Sequence, residues 1–132
     1  MAGPARYALG MPVSTSYREY IADQLAALPG VVIKRMFGGL GLYFDERMFA
    51  VVDDDTLYLR VDDATRPEFV KRDMSPFRPV KREPKKVSLN YYQLPAEVLE
   101  DSDVLVEWAK RAIQAARSPT AAVVRRAKKK AR

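Results

Sequence analysis

The chain has 132 residues with 23 Lys and Arg, 17 Asp and Glu, and neither cysteine nor histidine. A single domain of this length removes about two-thirds of its unfolded surface from water, and 48% apolar with 30% charged residues is a globular composition rather than a disordered or fibrous one. The missing Cys and His exclude disulfides, thiol nucleophiles, Cys/His zinc sites and imidazole acid–base catalysis. The formal net charge of +6 is concentrated at one end. Six basic residues and no acid lie in 119–132, which leaves 17 basic against 17 acidic side chains in residues 1–118. An anionic partner would therefore have to be met by that tail or by local patches. No apolar stretch approaches the ~20 residues needed to cross a bilayer. The first thirteen residues, Met1 to Val13, also lack the charged start and apolar run of a signal peptide. A cytoplasmic location without a membrane partner is expected, with residues 1–15, rich in Gly and Pro, as a disordered lead-in.

Ser16 and Glu19 have the spacing of a capping box. Tyr17, Tyr20, Ile21, Gln24, Leu25 and Leu28 then follow helical periodicity. Leu28-Pro29-Gly30 stops the helix, since Pro29 restricts Leu28 and Gly30 tolerates a left-handed exit. From Val31 the period becomes two. Val31–Phe37 is β-branched at its start, and Leu40, Leu42 and Phe44, then Met48, Ala50 and Val52, then Leu57, Leu59 and Val61 alternate. The joints at Gly38-Gly39, Asp45-Glu46-Arg47 and Asp53-Asp54-Asp55 are too short for parallel crossovers, so the strands form an antiparallel meander.

Asp62-Asp63 starts a short helix with Pro67 in its first turn and Phe69 and Val70 inward. Residues 73–86, with Pro76, Pro79 and Pro84, read as an irregular or edge segment. Val87, Leu89 and Tyr91 alternate as a strand. A long helix begins near Asp101 or Ser102, with Leu105, Trp108, Ala109, Ala112, Ile113 and Ala116 inward and its charges arranged to suit the helix dipole. The expected fold class is α+β. It is a two-layer sandwich in which an antiparallel sheet of about five strands carries two long amphipathic helices and one short helix. The folded domain is set at 16–118, with a basic disordered tail at 119–132.

At Leu28-Pro29-Gly30-Val31 and at Arg35-Met36-Phe37-Gly38-Gly39-Leu40-Gly41 the sequence resembles the N-terminal domain of TfoX/Sxy-like proteins. Met48-Phe49-Ala50, Leu57-Tyr58-Leu59-Arg60-Val61 and the helix containing Trp108 extend the likeness over about residues 16–118. The resemblance implies a helix, three strands, a helix, two strands and a helix. It also implies a regulatory role, since full-length TfoX proteins regulate natural competence and carry a second, C-terminal domain for which 132 residues leave no room.

Four groups of residues are candidates for function. In the family motif Arg35, Met36, Phe37, Gly38 and Gly39, glycine N–H groups and Arg35 can cradle an anion. No helix follows, however, and a Gly-Gly hairpin turn explains the motif structurally. Asp53, Asp54, Asp55, Asp62 and Asp63 match no EF-hand spacing and read as turn and cap residues. Between Lys71 and Lys86 lie Lys71, Arg72, Arg78, Lys81, Arg82, Lys85 and Lys86 around Phe77. This set offers charge and an aromatic ring to single-stranded nucleic acid, or else guards an edge strand. The tail residues Arg125, Arg126, Lys128, Lys129, Lys130 and Arg132 would meet phosphates without reading sequence, or else form a solvated end that aids solubility and binds nothing in particular. Tyr17, Tyr20 and Trp108 are core or half-buried helix positions.

These features point to a non-enzymatic regulatory or interaction domain with a protein partner and no catalytic residue, metal or cofactor. A homodimer through a sheet edge or helix face is compatible with them. The alternative is a weak, sequence-nonspecific nucleic-acid binder through the tail and the 71–86 loop. An enzyme or small-ligand binder using the carboxylates and Arg35 in a cleft is third.

Overall fold

The change from a helical to a two-residue period at Val31 is reproduced in the computed structural model, which describes residues 13–36, 38–79 and 87–117. Helix α1 (Thr15–Gln24) leads into β1 (Val32–Met36), β2 (Gly39–Phe44), β3 (Arg47–Asp53) and β4 (Thr56–Arg60). Helix α2 (Arg66–Lys71), β5 (Pro76–Phe77), β6 (Ser88–Gln93), the one-turn α3 (Ala96–Leu99) and α4 (Ser102–Arg117) follow. The strands form a single antiparallel sheet in the order β1-β2-β3-β4-β6-β5. The α+β class and two-layer plan are as expected. Six strands replace about five because Pro76-Phe77 pairs as a short edge strand, a position that tolerates proline. The turn of α3 was not anticipated, since four residues carry no readable period.

Two of the meander's joints are two-residue turns in the left-handed region. Asp45 and Glu46 have φ of 52° and 65°, and Asp54 and Asp55 have φ of 53° and 50°. Such turns match the right-handed twist of the strands they join. The register puts Leu40 opposite Val52, Leu42 and Leu59 opposite Ala50, Leu57 opposite Val52, and Tyr92 opposite Leu59. Alternation therefore gathers these side chains on one face. A shift in register between Leu42 and Tyr43 leaves Phe49 unpaired, and this bulge adds a fully buried ring to the same core.

Helix α4 lies over β3 and β4, burying Leu105, Trp108, Ala109, Ala112 and Ile113. Phe69 of α2 meets the Trp108 ring edge-on at 5.2 Å. From the first helical segment Ile21, Leu25 and Leu28 complete the cluster.

Several local details differ from expectation. Val70, read as inward, is 53% exposed because the short α2 turns only Phe69 to the core, and Tyr20 is 37% exposed. Helix α1 starts at Thr15, and Ser14 is its cap, accepting the Tyr17 N–H at 3.1 Å. The cap is chosen by a distant residue: the Asp55 carboxylate accepts the Ser14 N–H at 2.8 Å and its hydroxyl at 3.0 Å. The regular helix ends at Gln24, and Leu25 and Leu28 keep their buried positions in tighter turns, with the Leu28 N–H donating to the Leu25 carbonyl at 2.9 Å.

Candidate functional site

A strand at a sheet edge has main-chain groups on one side without a ladder partner. Among the described residues β1 pairs only with β2. Helix α1 runs beside it, so a helix stripe with a spacing of three to four faces a strand row with a spacing of two. At the end where the helical segment closes, Ala22, Leu25 and Ala26 face Val31 and Ile33 across a depression of about 220 Å³, floored by Leu28. At the other end Thr15 and Arg18 face Arg35, Gly38, Gly39 and Leu40 across a wider depression of about 480 Å³. One half of the seam is apolar and the other is cationic. Among the described residues, Arg18 and Arg35 form no ion pair.

The glycines of the motif have local tasks. Gly38 has φ +86° with open space around it, the signature of a turn. Gly39 lies so close to β3 that a Cβ would sit 2.3 Å from the Val52 carbonyl oxygen. Arg35 is exposed, and Phe37 lies outside the described residues. The two segments that carry the family likeness, Leu28–Val31 and Arg35–Leu40, thus line opposite ends of one seam. A meander's first strand starts at a sheet edge, so the sequence contained a signal for this placement. The alignment of α1 along that edge had none.

The other candidate residues are dispersed. Asp55 holds Ser14, and Asp62 accepts the N–H groups of Ala64 and Thr65, at 3.1 and 2.9 Å. Among the described residues no three acidic side chains converge on a metal-sized space. Arg72 pairs with Glu68 and Glu97 and stacks over Trp108 at 5.1 Å. Phe77 packs on Tyr58 at 5.0 Å and stands outside the main core cluster. Lys81, Arg82, Lys85 and Lys86, together with Arg125, Arg126, Lys128, Lys129, Lys130 and Arg132, lie outside the described residues.

The sheet face turned away from α4 is covered by its own long side chains. Tyr91 donates its hydroxyl to the Met48 carbonyl at 3.3 Å, with the Arg60 guanidinium over its ring at 5.6 Å. Lys34 lies over Tyr43 at 4.9 Å, and Met36, Tyr43 and Met48 crowd around Gly41. Two tyrosines have shifted hydroxyls. Burial, and then the Asp55 charge, push Tyr17 up to about 12, and burial also raises Tyr91.

A helix beside the first strand of an antiparallel meander, with a second helix over the sheet's centre, defines a small α+β domain whose α1–β1 seam borders a strand with a ladder partner on one side only among the described residues. The model of the TfoX N-terminal domain matches residues 23–116, and the chain belongs to that family. The matched span includes both seam-lining motifs. None of the curated proteins matches the chain.

Proposed function

We propose that this chain is a non-enzymatic regulatory domain that acts by docking a protein partner. Family membership points to a competence-related regulatory domain, and the finer reading is control of transcription or competence through that partner. The observation that carries it is the convergence of both family motifs on the seam beside β1. A free strand edge beside an apolar depression is a recurrent mode of peptide recognition. The reading needs no resident metal or cofactor.

The test is affinity capture by the full chain from its native cell, with and without nuclease, followed by light scattering of the recovered complex. A stoichiometric protein partner that survives nuclease is expected. Capture that disappears with nuclease would assign the chain to nucleic acid instead, and turnover of a small substrate by the purified chain would end the non-enzymatic reading.

A further inference from the structure

We propose that the α1–β1 seam receives an extended segment of a partner protein as an added strand beside β1. The segment is apolar where it passes Val31–Ile33 and acidic where it passes Lys34 and Arg35. This rests on the protein-docking reading and specifies its site and the chemistry of its partner.

The main-chain argument is that β1 has a strand neighbour on one side only among the described residues, so its other side offers donors and acceptors in ladder geometry. Hydrogen bonds of this kind supply attachment, and alternate side chains supply selectivity. On the helix-side face, Val31 and Ile33 border the apolar depression and Arg35 borders the cationic one. On the opposite face lie Val32, Lys34 and Met36, at alternating positions of the same strand. Val32 is 49% exposed and so presents apolar surface at this edge.

Charge selects the occupant. Strand β1 carries two cations and no acid, and Arg18 adds a third positive group to the seam. A second copy of β1 brings no acid to Lys34 or Arg35, so self-pairing leaves like charges close together, which destabilises cross-strand pairs. Opposite-charge and apolar pairs stabilise them by about 0.2–1 kcal/mol each. A complementary strand therefore reads apolar, apolar, apolar, acidic, acidic, apolar against residues 31–36. In the antiparallel sense this is a segment such as Leu-Glu-Glu-Ile-Val-Val.

The experiment uses the full chain and a fluorescein-labelled peptide, Ser-Gly-Leu-Glu-Glu-Ile-Val-Val-Gly-Ser, followed by anisotropy and by amide hydrogen exchange. Saturable binding is expected, together with slowed exchange within Val32–Met36. The double variant Lys34→Glu with Arg35→Glu should weaken binding at least tenfold and should prefer the peptide in which both glutamates are replaced by lysine. Ala22→Trp, at an exposed helix position, should block the apolar half. All three substituted positions are solvent-facing, and thermal melts establish that the variants fold. Absence of binding, equal binding of both peptides by the unaltered chain, or unchanged exchange in β1 overturns the proposal. If a native partner is captured equally by the unaltered chain and by these variants, the seam is refuted and the docking reading stands. If the unaltered chain captures no protein, the docking reading itself falls.

Discussion

Gly38 and Gly39 are neighbours in sequence, but different physics requires each of them. At Gly38 a side chain would meet open space but would have to adopt φ +86°, so Gly38→Ala should cost only the left-handed strain, about 1 kcal/mol. At Gly39 the added carbon collides with the Val52 carbonyl oxygen. The neighbouring backbone must move, and Gly39→Ala should cost about 3 kcal/mol, near the upper end for overpacked sites. Urea denaturation of the two variants checks the ordering, and equal losses would contradict it. Tyr17 yields a pH prediction. Its folded-state value near 12 exceeds the ordinary value of 10.0 because burial, helped by the Asp55 charge, disfavours the phenolate. A raised value means the contribution is complete below pH 10 and is lost as pH rises toward 12. Tyr17→Phe should therefore flatten the fall in stability across that alkaline window, as read by denaturation at pH 9, 10.5 and 11.5, while changing the profile little near neutrality. The glycine pair was legible in the sequence as a turn. The reason for Gly39 was not, because Val52 comes within reach only when β3 pairs beside β2.

At the scale of elements, α1 shows how a local signal yields to a tertiary one. Ser14 and Ser16 both precede a helical pattern, and Ser16 has the better sequence partner in Glu19. Ser14 is nevertheless the cap because Asp55, 41 positions away, binds both its N–H and its hydroxyl. Ser14→Ala should cost about 1 kcal/mol, the usual loss for a cap, whereas Ser16→Ala should be near neutral. A comparison of thermal midpoints distinguishes the two residues. Strand β3 gives a second case. Its bulge aims Phe49 into the core beside Ala50, and the ring is fully buried. Phe49→Ala should cost about 3–5 kcal/mol, with a corresponding drop in the denaturation midpoint. Simple alternation over Met48, Ala50 and Val52 placed Phe49 on the opposite face. The bulge has no sequence signature here, since it depends on how Leu42 and Tyr43 register against β3. Helix α4 was read closely because its buried residues repeat every three to four positions, and packing on β3 and β4 needs no more than that stripe.

For the whole molecule, the division between a neutral body and a basic end sets what long-range electrostatics can do. Removing residues 119–132 takes the formal net charge from +6 to zero. Six phosphate contacts would give a log affinity falling with log salt at a slope near −5. Deleting this segment should therefore abolish salt-sensitive duplex DNA binding while leaving capture of a protein partner intact. Titrations at two salt concentrations test the first outcome, and the nuclease-treated capture tests the second. What the sequence determined by itself was whatever depends on near neighbours: helix and strand periods, the short joints that force antiparallel pairing, the family motifs and the position of the charge. Sheet order was decided by tertiary structure, because β6 inserts between β4 and the two-residue β5. So were the choice of helix cap and the meeting of Leu28–Val31 with Arg35–Leu40 along one seam. Periodicity encodes which face of an element is buried, but which elements become neighbours is settled by pairing energies between residues far apart in the chain.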